Sequence, residues 1–355
     1  MDIRTELKKF KTELEKVLCK YLNGQIKESA KISLELKMLS EAVEDMTMRG
    51  GKRIRAALFY YSYLAHGGKD EKEALTVSMA MELMQTFLLI HDDIIDNDSL
   101  RRGGPTAHKS FEKNADQFDK EVDKRLFGIS GALLAGDLAC SMSNEIIANS
   151  KFKPKNVVRA LKEFNQVYAL EFYGEFLDIY SEAQNGIAER DVVLIHKLKT
   201  VPYTFSGPIK MGAILAGADE TKLKKLDTYI VSLGVAFQIQ DDILGMFGSE
   251  EKLGKSTFSD LREGKKTLLT LDALKYADHK QRKIIVKNLG NSAVGFSELE
   301  QVRKIVIETG ALDRSKEIVQ KYVQKAIKSI ESSNMKNKSK DFFIGVAKYM
   351  AERDY

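Results

Sequence analysis

Two apolar helical segments of the sequence each end in neighbouring aspartates. The first runs into residues 91–96 (HDDIID) and the second into residues 237–245 (FQIQDDILG). Aspartates four residues apart share one face of a helix, where two like charges cost about 0.2–0.5 kcal/mol. Such a cluster needs a compensating cation, and Mg²⁺ prefers carboxylate oxygens, with phosphate and water completing its shell. Either cluster alone could be a solvated helix end. Together they predict a site for divalent ions, with candidate ligands Asp92, Asp93, Asp96, Asp241 and Asp242.

Basic residues accompany both acidic clusters. They fall in residues 50–55 (GGKRIR), 101–102 (RR), 199 (K), 254–255 (GK) and 264–266 (GKK). Arginine forks and lysine ammonium groups are the usual partners of phosphate, and glycine turns at helix starts add backbone N–H donors. Any one of these segments alone could be a solvated basic surface. Combined with the metal ligands they indicate a diphosphate ligand, and their number favours two.

The composition excludes several classes of protein. Of 355 residues, 43% are hydrophobic and 30% are charged, so the chain is neither disordered nor a disulfide scaffold. The net charge of +5 is too balanced to indicate nucleic acid binding. The longest uncharged runs have 13 residues, fewer than the ~20 that a membrane helix needs. The two cysteines, Cys19 and Cys140, lie in apolar stretches and are expected to be core residues in a reducing compartment. The N-terminal segment is charged throughout and shows no apolar signal core. We therefore expect a cytoplasmic protein without a membrane span.

Helical periodicity runs through the chain, which has only four prolines. These features predict an all-α protein with one domain over residues 1–355, and no stretch demands a strand. Loops are expected at 97–106, 112–123 and 248–264. The predicted helices cover residues 2–23, 26–48, 52–66, 71–96, 126–150, 155–182, 189–216, 221–247, 265–276, 279–289, 296–309, 311–332 and 338–352.

A set of motifs in this order and spacing resembles the trans-polyprenyl diphosphate synthases, most closely geranylgeranyl diphosphate synthases of prokaryotic type. The motifs are GGKRIR, HDDIIDNDSLRRGGPTAH, HKLKT, FQIQDDILG and GKSTFSDLREGKKT, within residues 48–270. The resemblance implies a single large helical bundle around a central active-site cavity, usually in a homodimer. It also implies head-to-tail condensation of isopentenyl diphosphate with an allylic diphosphate (dimethylallyl, geranyl or farnesyl). Two or three Mg²⁺ ions per site are implied, with Mn²⁺ as an alternative.

The resemblance also assigns roles to individual residues. It implies that Asp92, Asp93 and Asp96, together with Asp241, bind the Mg²⁺ that bridges to the allylic diphosphate. Asp242 belongs to the same acidic cluster. Gly245 stands where the fullest pattern has a third aspartate, which leaves a ligand role beyond Asp241 open. His91 contacts isopentenyl diphosphate or caps its helix. The allylic diphosphate partners are Arg101, Lys199, Lys255 and Lys265; the isopentenyl diphosphate partners are Lys52, Arg55, Arg102 and Gln85; the oxygens facing the carbocation belong to Thr200 and Gln238.

Product length is expected to depend on side chains below the first aspartates. Positions four and five before Asp92 hold Leu88 and Phe87, which line the start of the tunnel because i and i+4 residues stack on a helix. Met84 could form part of a deeper floor. This combination resembles enzymes that make the C20 product, with farnesyl diphosphate synthase or a longer-chain synthase as alternatives. A class I terpene cyclase and a non-catalytic synthase subunit are more distant alternatives, since GGKRIR and both aspartate pairs are present.

Overall fold

The structure is a computed structural model of the chain. It describes residues 2–118, 120–182, 184, 189–248, 257–333 and 335–352. Helices dominate these ranges, and a hairpin of two short strands, β1 (Leu100–Arg101) and β2 (Gly104–Pro105), is their β-structure. The helices are α1 (Ile3–Ile32), α2 (Lys37–Met48), α3 (Ile54–Ala65), α4 (Glu71–Ile95), α5 (Ala107–Asn114), α6 (Lys124–Ala148), α7 (Pro154–Glu182), α8 (Glu189–Lys199), α9 (Gly207–Leu215), α10 (Glu220–Phe247), α11 (Ser259–Glu263), α12 (Leu268–Tyr276), α13 (His279–Asn288), α14 (Phe296–Glu308), α15 (Ala311–Glu331) and α16 (Asn337–Ala351).

Aspartate side chains start four of the long helices. Asp2, Asp70, Asp123 and Asp219 each precede a helix and accept a hydrogen bond from a backbone N–H two or three residues later. This satisfies donors that the first helical turn leaves without a partner, and the negative charge is favourable at the positive end of the helix dipole. The beginnings of α1, α4, α6 and α10 are therefore encoded locally in the sequence.

The chain divides into two compact units, and the first comprises residues 2–162 and 211–218. Helix α4 is central to this unit, with every residue from Met79 to Leu88 buried. It packs along α6. The two helices approach closely at Gly136, where an added Cβ would lie 2.4 Å from Nε2 of His91. The glycine therefore allows a side chain at the acidic end of α4 to lie directly against α6.

The second unit comprises residues 163–210 and 219–355. Helix α10 runs through it and packs against the helices Ala311–Glu331 and Asn337–Ala351. The fully buried Tyr229 donates a hydrogen bond of 2.8 Å to the carbonyl of Phe343 on the last of these. Gly234 lets Val201 approach α10, because a Cβ there would lie 2.5 Å from the valine Cγ2. These contacts fix the α10 segment that leads to the second aspartate pair.

Some predicted boundaries were wrong. The first helix continues through Gly24 and breaks at Ser33, whose extended backbone (φ −161°, ψ 147°) ends α1. A glycine costs a helix only about 1 kcal/mol, so it does not force a break. The single helix predicted over 189–216 is divided by a π-helical turn at Pro202–Ser206. Helix α5, the 3₁₀ turn Ala115–Gln117 and the short hairpin lie where loops or no element had been predicted. The single-domain assignment stays a prediction.

Three described helices are long and apolar enough to cross a membrane by length and composition: α4, α6 and α10. The expectation of no such segment rested on uncharged runs and was too strict, because a span can tolerate a few charges. The apolar windows of α4 and α10 are 78% and 61% buried, whereas that of α6 is 44% buried. Of these three helices, α6 therefore has the largest exposed fraction of its apolar window.

Candidate active site

The acidic end of α4 lies in the first unit and is tied to the β-hairpin. Asp93 is fully buried, and its carboxylate accepts a bond from Nε of Arg101 on β1. The same guanidinium lies 3.3 Å from Asp92 and 3.5 Å from Asp98. Asp92 and Asp96 are partly exposed and follow one face of the helix end. Arg101 therefore contacts the first aspartate cluster, and its role at the allylic diphosphate stays a prediction.

Asp93 also has an oxygen that the described protein atoms do not satisfy. Its Oδ2 is buried and has no hydrogen-bond partner among the described residues. Burial raises the pKa of this carboxyl to about 7, against the opposing effect of Arg101. A buried carboxylate oxygen of this kind costs free energy unless a cation or proton meets it. The aspartate cluster therefore fits a divalent ion.

Two of the predicted isopentenyl diphosphate residues, Lys52 and Arg102, lie at a glycine turn of the first unit. Gly50 and Gly51 have φ of 67° and 91°, conformations that favour glycine. A Cβ on Gly51 would lie 3.5 Å from the guanidinium of Arg102, and Arg102 donates to the carbonyl of Arg49 at 2.9 Å. Lys52 follows in the same turn and is partly exposed. The turn and the hairpin thus bring Lys52 and Arg102 into one region.

A buried ion pair supports the start of α3, where the partly exposed Arg55 lies. Arg53 bonds to Glu82 of α4 at 3.1 Å and to Glu15 of α1 at 3.0 Å. Gln85 lies three residues after Glu82 and is 8% exposed, and its Oε1 has no hydrogen-bond partner within the described chain. This arrangement is consistent with a polar ligand near Gln85.

His91 lies against helix α6. Its Nε2 lies 3.3 Å from the carbonyl of Leu133 and 3.8 Å from a carboxylate oxygen of Asp137, both on α6. The helix end at Asp96 is completed by backbone bonds instead, so the capping role is wrong. The substrate contact stays a prediction. Phe87 packs edge-on against the His91 ring at 4.8 Å.

The three chain-length candidates are all buried on α4. Met84 is 0%, Phe87 4% and Leu88 7% exposed. Burial is what a floor beneath the aspartates requires, but it is also what an ordinary core residue shows. Their role in product length therefore stays a prediction.

The second unit holds the remaining predicted residues, beginning with Lys199. Its ammonium group lies 2.7 Å from Glu175 and 2.9 Å from Asp178, both on α7. Gly174 allows α7 and α8 this close approach, since its Cβ would lie 2.3 Å from the backbone N of Lys199. Sequence reasoning missed the two acids. The available signal was a pair of carboxylates three residues apart within the aromatic segment of α7.

A chain of hydrogen bonds connects Thr200 to the second aspartate pair. Thr200 donates to Oε1 of Gln238 at 2.6 Å, and Nε2 of Gln238 donates to Asp242 at 3.2 Å. Asp242 is 6% exposed, whereas Asp241 is partly exposed. These bonds orient the oxygens of Thr200 and Gln238, to which the family resemblance assigns a role beside a developing positive charge.

Lys265 lies near Asp242 of the second aspartate pair. A small cavity of the second unit is lined by Lys265, Asp242 and Gly245, and Glu263 pairs with the lysine at 2.9 Å. The predicted ligand Lys255 lies outside the described residues. In the described part of the second unit, hydrogen bonds link Thr200 to Asp242 through Gln238, and Lys265 lines a cavity with Asp242.

Comparisons with known proteins identify the family of the chain. The family model described as polyprenyl synthetase matches residues 36–306. The chain is 32% identical to a geranylgeranyl diphosphate synthase of Sulfolobus acidocaldarius over 90% of this chain and 91% of that protein. It is also 32% identical to a geranylgeranyl pyrophosphate synthase of Geoglobus acetivorans over 97% of this chain and 99% of that protein. Both relatives are archaeal.

A solved structure extends the similarity to the whole fold. Geranylgeranyl pyrophosphate synthase of Corynebacterium glutamicum, complexed with isoprenyl diphosphate and magnesium, superposes with a TM-score of 0.91 at 26% identity. The match covers 99% of this chain and 100% of that chain. The fold class predicted from the sequence is confirmed. The chain belongs to the polyprenyl synthetase family, whose members depend on divalent metals, and it is a trans-prenyltransferase acting on isoprenyl diphosphates.

Proposed function

We propose that the protein condenses isopentenyl diphosphate with dimethylallyl, geranyl and farnesyl diphosphates to give geranylgeranyl diphosphate. The observation that carries the proposal is the acidic end of α4. There Arg101 is bonded to Asp93, a second buried oxygen of Asp93 faces no partner within the described chain, and the hairpin leads from Arg101 to Arg102. Candidate metal ligands on α4 are thus followed, a few residues later in the chain, by two arginines that can bind diphosphate. The names of the archaeal relatives support the C20 product.

The carboxylates that would hold Mg²⁺ are those of Asp92, Asp93, Asp96 and Asp241, with Asp242 as a further candidate. When bound, Mg²⁺ stabilises the negative charge that develops on the leaving diphosphate. Two or three ions per site, with Mn²⁺ as an alternative, are part of the proposal. The Corynebacterium glutamicum enzyme was solved in complex with magnesium, which supports this choice of ion.

The cationic side chains divide between the two substrates. Arg101, Lys199, Lys255 and Lys265 bind the allylic diphosphate and neutralise it as its C–O bond ionises, an electrostatic stabilisation of the transition state. Glu175 and Asp178 hold the Lys199 ammonium in place through bonds of 2.7 and 2.9 Å. The second substrate, isopentenyl diphosphate, is bound by Lys52, Arg55, Arg102 and Gln85.

The allylic carbocation must be kept from water and beside fixed oxygen atoms. The Thr200 hydroxyl and the Gln238 carbonyl serve this purpose, oriented by the bonds that end at Asp242. The alkene of isopentenyl diphosphate attacks the cation, a C–C bond forms, and the proton lost from the product passes to the released diphosphate. No protein nucleophile takes part.

Product length is set in this proposal by the buried side chains on α4. Phe87 is the bulky residue below the aspartates, and Leu88 and Met84 complete the wall. A tail that meets Phe87 after four isoprene units would stop at C20. Farnesyl diphosphate or a longer product would place the floor elsewhere while leaving the reaction unchanged.

The proposal also includes the assembly and location of the protein. Each chain is a single domain, two chains form a homodimer, and the dimer is cytoplasmic. Helix α6 exposes Leu126, Leu133 and Leu134, which are 60%, 42% and 57% accessible. An exposed apolar face of this kind favours a protein interface. A second copy of the chain is the proposed partner, and light scattering of the purified protein would report twice the mass of 40.0 kDa.

Release of inorganic diphosphate tests the reaction class. The purified protein is incubated with geranyl diphosphate and Mg²⁺, with and without isopentenyl diphosphate. A prenyltransferase releases diphosphate only when both substrates and the metal are present. Release from geranyl diphosphate alone would indicate a cyclase, and no release under any condition would indicate a non-catalytic subunit.

A further inference from the structure

Two arginines connect the glycine turn to the hairpin in reciprocal fashion. Arg102 on the hairpin donates to the carbonyl of Arg49, which precedes the glycine turn, at 2.9 Å. Arg49 donates from Nη1 to the carbonyl of Arg101 at 3.1 Å and from Nη2 to the carbonyl of Pro105 at 2.8 Å. Each guanidinium thus binds the backbone of the segment that carries the other one. The two segments contain Lys52, Arg101 and Arg102, which the proposed function places at the diphosphates.

The Arg49 side chain is largely buried and makes further contacts within the protein. Its guanidinium also pairs with Asp45, one turn earlier on α2, and approaches Sδ of Met46 at 3.3 Å. Only 18% of the side chain is exposed. Its charge is therefore balanced by a protein carboxylate, and its planar fork is used to hold two backbone carbonyls, which a lysine cannot do with the same geometry.

Gly104 leaves the space that Arg49 occupies. An added Cβ at Gly104 would lie 2.2 Å from Nη1 and 2.9 Å from Cζ of Arg49. Gly104 is not among the glycines with positive φ, so its backbone would accept an alanine. The requirement for glycine at this position therefore comes from the arginine, and the two residues form a pair.

We propose that Arg49 is a positioning residue for the diphosphate sites: it fixes the hairpin bearing Arg101 and Arg102 against the turn bearing Lys52. The proposal rests on the proposed function. Arg101 has further anchors in Asp92, Asp93 and Asp98, whereas the Arg102 guanidinium bonds to the backbone of Arg49 itself. Loss of the Arg49 contacts therefore disturbs isopentenyl diphosphate binding more than allylic binding.

The test combines Arg49→Met, Arg49→Lys, Gly104→Ala and the double variant Arg49→Met/Gly104→Ala. Arg49→Met should raise KM for isopentenyl diphosphate about 10- to 100-fold, since misplacement by about 1 Å can cost that much. KM for farnesyl diphosphate should change by less than about threefold. The KM of Arg49→Lys for isopentenyl diphosphate should lie between those of wild type and Arg49→Met. Gly104→Ala should displace the arginine and reproduce the effect of Arg49→Met, and the double variant should be no worse than either.

Gly24→Ala is the matched control, because a Cβ at Gly24 meets nothing within 4 Å. Calorimetric titration of inorganic diphosphate in the absence of metal gives a second readout that does not depend on turnover. Wild-type protein that binds diphosphate but forms no product would contradict the proposed function alone, while the variants could still be compared by affinity.

Three results would overturn the role of Arg49. Gly104→Ala could behave like Gly24→Ala, the two single effects could multiply in the double variant, or both KM values and the unfolding temperature could change together. The last result would mean that Arg49 serves general stability and does not position the isopentenyl diphosphate site.

Discussion

The ion pair between Arg53 and Glu82 offers a quantitative test of how the first unit supports its basic turn. Arg53 and Glu82 are 3% and 6% exposed and are 3.1 Å apart. Arg53→Met would leave the Glu82 carboxylate buried without that cation, a change that costs about 3–5 kcal/mol in typical buried pairs. Glu82 still accepts a bond from the backbone N–H of Ala56 at 3.3 Å, so the lower end, about 3 kcal/mol, is expected.

The double variant separates the pair from other effects. Arg53 has a left-handed backbone (φ 55°), and methionine bears the same conformational cost as arginine, so the backbone term cancels. Glu82→Gln keeps an acceptor for Ala56 while removing the charge. Arg53→Met/Glu82→Gln should therefore recover about 2 of the 3 kcal/mol, because the buried carboxylate at position 82 is gone. Glu15, the second partner of Arg53, is 28% exposed and keeps Lys11 at 3.8 Å.

Urea unfolding followed by circular dichroism gives the free energies of unfolding. Lys37→Met is the matched control, since Lys37 and Glu41 form an exposed pair that is shorter still, at 2.6 Å. An exposed pair contributes about 0.2–1 kcal/mol. The reasoning is refuted if Arg53→Met costs no more than Lys37→Met, or if Glu82→Gln adds to the loss.

Four further predictions concern the site and its surroundings. Asp92→Ala should lower kcat by about 100-fold or more without changing the free energy of unfolding, because a group that stabilises charge in the transition state is lost. A near-normal kcat would contradict the role of Asp92 as a metal ligand. Removing divalent metal with a chelator should abolish condensation, and added Mg²⁺ should restore it, measured as isopentenyl diphosphate incorporation. Phe87→Ala should lengthen the product by at least one isoprene unit in mass spectra, with an unchanged product contradicting the floor. Burial lowers the pKa of His108 below 6.5, so the unfolded chain binds the extra proton first and stability should fall as pH drops below 6.5; His108→Gln should flatten that dependence in urea titrations.

Features carried by neighbouring residues could be predicted from the sequence. The aspartate pairs at the ends of α4 and α10 depend on helical spacing, and Asp70 and Asp219 mark where those helices begin. Gly24 misled the prediction of α1 because glycine is common at helix ends, whereas here it lies within a helix beside open space. Sequence alone does not show whether such a glycine ends a helix.

Contacts between distant segments could not be predicted. Lys199 was expected at the allylic diphosphate, but its partners Glu175 and Asp178 come from another helix more than twenty residues earlier. Arg49 and Gly104 are 55 positions apart, and neither residue type alone indicates the pair. Such contacts depend on how helices pack, which local spacing does not determine.

Product mass is the measurement that tests the proposed reaction most directly. Purified protein is incubated with Mg²⁺, isopentenyl diphosphate and each of dimethylallyl, geranyl and farnesyl diphosphate, and the products are measured by mass spectrometry. All three allylic substrates should converge on the C20 diphosphate with no further growth. A C15 end product, or growth well beyond C20, would contradict the assigned floor, and the absence of any condensation would contradict the proposed reaction.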